Sequence, residues 1–134
     1  MNLLILHGPN MNLFGIQSLE KGTKITLDKI NRHIRRFIRN KDINIKIIQT
    51  HNEVKVVSYL HKNRNKFTGL IITPGVWKDS GHILKDTLDI IKLNYVIINI
   101  DKNEKNNLLK GKKIIFNEDI MQSFEDAISF YNDK

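Results

Sequence analysis

Five apolar runs of strand length punctuate the chain, at Leu3–Leu6, Ile43–Ile48, Gly69–Ile72, Tyr95–Ile100 and Ile114–Phe116. They are rich in Ile, Leu and Val, as strands buried on both faces of a parallel sheet require. Between them the apolar residues recur at helical spacing. Leu27, Ile30, Ile34 and Phe37 form one stripe, with Thr26 placed as its N-cap and Asp28 in its first turn. Val56, Val57, Leu60 and Arg64 follow the same rhythm, with Arg64 at the polar margin. Ile83, Leu84, Leu88 and Ile91 make a third stripe, and Ile120, Met121, Phe124, Ile128 and Tyr131 a fourth.

Strands that alternate with helices must be joined by right-handed crossovers, each covering one face of the sheet. The pattern therefore predicts an α/β fold, a flavodoxin-like doubly wound five-stranded parallel sheet with helices on both faces. No repeat, low-complexity linker or shift in composition divides the chain, so residues 1–134 are expected to form a single domain. Open sheets of this kind bind ligands beyond the carboxyl ends of their strands. The loops that follow the strands are thus the places to look for chemistry.

The first such loop, Gly8 to Gly22, is long for a compact domain and is expected to be a lid or binding loop. It opens with His7-Gly8-Pro9-Asn10-Met11-Asn12-Leu13-Phe14-Gly15. The second strand runs into Gln49-Thr50-His51-Asn52-Glu53. The third runs into Thr73-Pro74-Gly75-Val76-Trp77-Lys78-Asp79-Ser80, where Pro and Gly dictate a turn and Ser80 or Asp79 is placed to cap the next helix. The fourth runs into Asn99-Ile100-Asp101-Lys102-Asn103, whose successive backbone N–H groups can form an anion nest. His7 reads as a packing residue at the sheet rim, His33 and His61 as surface residues on helices, and Trp77 as a packing residue.

Composition narrows the function classes. Hydrophobic residues make up 40% and charged residues 27% of the 134, the balance of an ordinary soluble globule. There is no cysteine, which rules out disulfides and thiolate metal sites and fits an intracellular setting. No apolar run approaches the ~20 residues that cross a bilayer, and residues 2–6 read as a strand rather than a leader, so no membrane role and a cytoplasmic location are expected. No His, Asp and Glu grouping has metal-ligand spacing, and neither a Gly-x-Gly-x-x-Gly nor a Walker-type loop occurs; no metal and no cofactor are expected. The net charge of +8 comes largely from scattered Lys. Its one dense cluster, Arg32, His33, Arg35, Arg36 and Arg39, falls on a helix as a solvated face, so a nucleic-acid partner is not expected, whereas a small polar or anionic metabolite suits the charge.

The order Gly-Pro-Asn-x-Asn-Leu-x-Gly, then Gln-Thr-x-x-Glu, then x-Pro-Gly, at these intervals, resembles the type II 3-dehydroquinate dehydratase family over nearly the whole chain. The resemblance implies trimers that stack into a dodecamer. It also implies a cofactor-free reaction, loss of water from 3-dehydroquinate to give 3-dehydroshikimate. In that family a loop Tyr, its pKa lowered by a nearby Arg, removes a proton next to a ketone. An Asn of the first motif holds a water against the enolate oxygen, and a His after the Pro-Gly turn protonates the departing hydroxyl. Backbone amides after the fourth strand hold the substrate carboxylate.

Carried over position by position, the resemblance assigns the enolate role to Asn12 and retains Glu53. The Arg and Tyr positions fall on Gln17 and Gly22, and no Tyr lies in that loop. The acid position falls on Asp79, with His82 one helical turn further on. Thr73 stands for an Asn, Asn99 for a His, Asp101 for a Ser, and the later Arg position falls near Asn106. Candidate catalytic residues are therefore Asn12, with Lys21 and His82 as substitutes. Candidate binding residues are Asn10, Glu53, Thr73, Gly75, Asp79, His82, Asn99, Ile100 and Asp101. The expected protein is a dehydroquinase-like homo-oligomer, catalytically impaired or inactive, with a remnant small-ligand pocket. Two alternatives stay open: an active dehydratase using the substituted groups, and a different enzyme on the same scaffold.

Overall fold

A computed structural model of the chain describes residues 1–133. Its elements run β1 (Asn2–His7), α1 (Phe14–Glu20), α2 (Leu27–Phe37), β2 (Asn44–Gln49), α3 (Glu53–Lys62), β3 (Gly69–Thr73), α4 (Trp77–Ser80), α5 (His82–Ile91), β4 (Tyr95–Ile98), β5 (Lys113–Ile115) and α6 (Ile120–Asn132). A 3-10 turn over Met11–Leu13 joins β1 to α1. All pairings are parallel, in the order β2-β1-β3-β4-β5, which is the flavodoxin-like order expected.

The alternation of side chains along the strands divides the core in two. Leu3, Ile5, Ile71, Val96 and Ile98 point to one face, where Ile30 and Ile34 of α2 and Phe124, Ala127 and Ile128 of α6 cover them. Leu4, Leu6, Leu70, Ile72 and Ile97 point to the other, beneath Val56 and Leu60 of α3, Leu84 and Leu88 of α5, and Trp77. Leu3 to Leu6 are 0–1% exposed, because β1 is flanked by β2 and β3 and covered on both faces. Trp77 packs as expected. Among the described residues no helix is long and apolar enough to cross a membrane.

Helix ends follow the polar residues beside them. The Thr26 hydroxyl accepts from Lys29 N, Asn52 Oδ1 from Lys55 N and Asp119 Oδ1 from Met121 N, each satisfying an N–H that the helix itself leaves open. Three expectations need correction here. Neither Ser80 nor Asp79 caps α5: the Ser80 hydroxyl turns back onto Val76 O and Asp79 bonds to Asn107. Helix α3 ends at Lys62, so Arg64 lies beyond it and donates to His61 O. His33 is half-buried, with Nε2 2.7 Å from Glu125 Oε2, and ties α2 to α6.

The largest departure is α1, which occupies nearly half of the expected loop from Gly8 to Gly22. Its buried residues are Phe14, Gly15 and Ser18, while Ile16 and Leu19 stand 63% and 56% exposed. Two of its large apolar residues lie on the solvent side, so a reading that seeks an apolar inner face passes over this helix. Ser18 anchors it: its Oγ accepts from Ile25 N at 2.8 Å and lies 3.2 Å from the carbonyl oxygens of Gly15 and Ile25.

The carboxyl ends of β1 and β3 are drawn unusually close. Gly8 N donates to Thr73 O at 2.9 Å, and a Cβ at Gly8 would lie 2.8 Å from the backbone oxygens of both Thr73 and Pro74. Gly75, at φ +56°, faces Pro9 O at the same distance from its own absent Cβ. The Gly-Pro turns after β1 and β3 therefore fit against each other as bare backbone. Gly8→Ala is expected to cost about 1–3 kcal/mol in urea unfolding, the range for forcing a methyl into a packed site. An unchanged unfolding midpoint would show that the two turns separate freely.

Candidate functional site

The tails of β1, β3 and β4 open onto a cavity of about 450 Å³ at the carboxyl edge of the sheet. Its walls come from the turn after β1 (Pro9, Asn10, Met11), from Gln17 on α1, from the turn after β3 with Lys78, and from Ile98, Ile100, Asp101, Asn103 and Glu104. A second space of about 690 Å³ adjoins it across Gln17, Ile100 and Asp101 and runs between α1 and the start of α6. Five of the expected site residues, Asn10, Thr73, Gly75, Ile100 and Asp101, line the first cavity together. Asn10 adopts a left-handed backbone at φ 70°, and its N–H donates to His51 Nδ1 at 3.4 Å. Asn tolerates that conformation better than most residues.

The other expected residues lie elsewhere or are already engaged. Asn12 is exposed on the 3-10 turn, outside the cavity wall. Glu53 reaches from α3 to α5, where Oε2 accepts from Leu84 N at 2.9 Å. It thereby caps a helix whose own N-cap, Gly81, offers no side chain. Asp79 Oδ1 accepts from Asn107 Nδ2 at 2.9 Å. His82 is exposed at the first residue of α5, outside both spaces. Lys21 lines the adjoining space and sits 2.5 Å from Asp101 Oδ1. Asn99 is buried and braces its own loop, donating from Nδ2 to Glu104 O and accepting at Oδ1 from Asn106 Nδ2 at 2.9 Å.

The anion nest does form after β4, and it is filled from within the chain. Ile100 N and Asp101 N both donate to Glu104 Oε1, at 3.0 and 3.2 Å. The other carboxylate oxygen, Oε2, is 3.2 Å from Lys78 Nζ, with the Glu104 side chain only 12% exposed. Charge-assisted bonds of this kind are about twice as strong as neutral ones. The loop is also fastened to α4: Leu108 N donates to Lys78 O at 2.9 Å, beside the Asp79–Asn107 contact. Sequence reading missed Glu104 and Lys78, and placed Gln17 at the family's Arg position without counting it as a wall residue. The signal for Glu104 was its spacing, a carboxylate three residues beyond Asp101, able to fold back onto preceding amides as the Glu of a capping box does.

Beneath the cavity lies a polar chain within the core. His7 is fully buried; its Nε2–H donates to Asn31 Oδ1 at 2.8 Å, leaving Nδ1 to accept from the Thr73 hydroxyl at 3.5 Å. Its ring also meets Phe124 edge-on, with centroids 5.5 Å apart. Burial lowers its pKa from 6.5 to about 4, with the Asn31 hydrogen bond acting in the opposite direction. The three tyrosines of the chain lie away from the cavity. Tyr95 starts β4, at the opposite end of the sheet, and the Tyr131 hydroxyl reaches Leu70 O and Asn94 O there. Tyr59 packs on Phe67. Among the described residues no group of three or more His, Asp or Glu is placed to hold a metal ion.

The His7 environment has a pH consequence. Below pH 6.5 the unfolded chain takes up a proton that the folded chain refuses until about pH 4. Stability is therefore intact above that window and falls as pH drops through it, by about 1.4 kcal/mol per unit. Between about pH 7 and pH 5 the His7 contribution should fall by about 2 kcal/mol in urea unfolding. His7→Gln should flatten that part of the profile; equal pH dependence in both proteins would contradict the assignment.

Comparison with known proteins gives the family and the fold. A family model described as "Dehydroquinase class II" matches residues 1–119. The chain is 31% identical over 112 residues to the 3-dehydroquinate dehydratase of Halothermothrix orenii, covering 83% of this chain and 75% of that protein. It is 29% identical over 100 residues to the 3-dehydroquinate dehydratase of Thermotoga neapolitana, covering 75% and 68%. Among solved structures, the type II dehydroquinase from Butyrivibrio crossotus superposes with a TM-score of 0.86 at 19% identity, covering 98% of this chain and 97% of that one. The type II dehydroquinase from Propionibacterium acnes gives 0.81 at 18% identity, covering 99% and 98%. At such identities the structures speak for the fold alone.

Proposed function

The chain belongs to the class II dehydroquinase family, and from that premise we propose that it is a dehydroquinase-like protein with its dehydration chemistry lost or strongly impaired, retaining a cavity for a small polar ligand. One observation carries the reading. The ionisable side chains that line the cavity are Lys78, Asp101 and Glu104, and all three stand in ion pairs.

Dehydration by the family's route needs a base to take a proton next to a ketone and an acid to give one to the leaving hydroxyl. Each such group contributes roughly a hundred- to ten-thousand-fold. Over this cavity α1 presents Gln17, an amide that neither accepts nor releases a proton at neutral pH. Lys21, a candidate substitute base, is held by Asp101, and His82, the candidate acid, stands outside the wall. Asn10, Gln17, Thr73 and Asn103 remain on the wall as uncharged polar side chains, a set suited to holding a ligand rather than to moving protons.

The test is an assay for the conjugated enone product from 3-dehydroquinate near neutral pH, run beside an active relative. Turnover at least a hundredfold below that of the relative is expected from loss of the base alone. Turnover within tenfold of the relative would favour instead an active dehydratase that uses substituted groups.

A further inference from the structure

We propose that Glu104 is a built-in occupant of the anion nest after β4, so that the cavity takes an uncharged polyhydroxylated ligand and turns away carboxylates. This rests on the reading above, that the cavity still holds a small polar molecule. Two backbone N–H groups converge on Glu104 Oε1 and an ammonium stands 3.2 Å from Oε2, so both oxygens of the side-chain carboxylate are engaged. The site has the charge, the convergent donors and the burial that an external carboxylate seeks, with the carboxylate supplied by the same loop.

The remaining wall is unfavourable to a second anion. Its ionisable groups are one cation and two carboxylates, and the cation is already neutralised by Glu104. Asp101 adds a negative charge beside the nest, balanced from the adjoining space by Lys21 at 2.5 Å. An incoming carboxylate would be desolvated beside Asp101 and Glu104, with Ile100 N and Asp101 N already taken. A ring bearing hydroxyls meets no such penalty. Its O–H groups can donate to Asp101 and Glu104 and accept from the amides of Asn10, Gln17 and Asn103. A cavity of about 450 Å³ suits a molecule of that size.

The loop geometry makes the occupant a fixed part of the site. Asn99 and Asn106 brace the segment from inside, and Asp79 and Lys78 brace it from α4, so the carboxylate is presented to the nest by a loop tied at both sides. Glu104 is in this sense a specificity residue: it selects the charge of the ligand by filling the place where a charge would go.

Shikimate and its methyl ester share one hydroxylated ring and differ by a single charge, which makes them suitable probes by calorimetry. The native chain should bind the ester at least tenfold more tightly than the acid. Glu104→Ala, which empties the nest and frees Lys78, should gain at least tenfold in affinity for the acid and reverse the preference. Added acetate should also raise the melting temperature of Glu104→Ala more than that of the native chain, by refilling the nest. Should that variant fail to fold, Glu104→Gln carries the same test: it keeps an acceptor for the amides, frees the Lys78 charge, and should gain severalfold for the acid. An ester that fails to bind the native chain, an acid that binds it as tightly as the ester, or a folded variant with no gain for the acid would each overturn the proposal. Acid binding without turnover would overturn this inference alone, whereas turnover of 3-dehydroquinate would overturn the proposed function as well.

Discussion

Backbone N–H groups at the rim of a parallel sheet have no ladder partner, and burying them unpaired costs about 1–3 kcal/mol each. In this chain its own side chains take open backbone amides at that rim and at a nearby helix start. Glu104 takes Ile100 N and Asp101 N after β4, Glu53 takes Leu84 N at the start of α5, and His51 takes Asn10 N after β1. These contacts fix where the loops lie, and the loops define the cavity. They also consume groups that a ligand would otherwise use. The same constraint that completes the fold therefore engages polar groups at its edge.

Fold and chemistry consequently rest on different residues. The fold depends on the two-sided burial of β1, on the bare-backbone contact of Gly8 with Thr73 and Pro74, and on the Asn31–His7–Thr73 chain beneath it. None of these needs a titrating side chain in the cavity; His7 serves the core as a neutral ring, held so by burial. The proton-transfer groups of the family's reaction sit in loops whose side chains can change while the strands stay as they are. A family-level match over residues 1–119 is compatible with a cavity wall of amides and spent ion pairs.

Much of this was legible in the sequence, for physical reasons. Buried parallel strands leave continuous apolar runs, so all five appeared within a residue or two of their ends, and Thr26 announced the start of α2. Helix α1 was hidden because Ile16 and Leu19 face solvent and Ser18, a polar residue, is its anchor. Asn99 and Glu53 were expected to meet a ligand, and the structure engages them in bracing a loop and capping a helix, roles that depend on partners distant in sequence such as Leu84. The motif marked Asn12 for catalysis and Asn10 for binding, yet the 3-10 turn that begins after Asn10 and carries Asn12 sets Asn10 on the cavity wall and Asn12 in solvent. Glu104 went unnoticed because a carboxylate in a polar loop looks like surface until the nest it fills is seen.

The central claim, that the nest after β4 is occupied by the chain itself, is read most directly from the amide resonances of Ile100 and Asp101 in a proton–nitrogen NMR spectrum. In the native protein both should stay in place when shikimate is added, and both should move when Glu104 is replaced in Glu104→Gln. Amide signals indifferent to Glu104, or displaced by shikimate in the native protein, would contradict it.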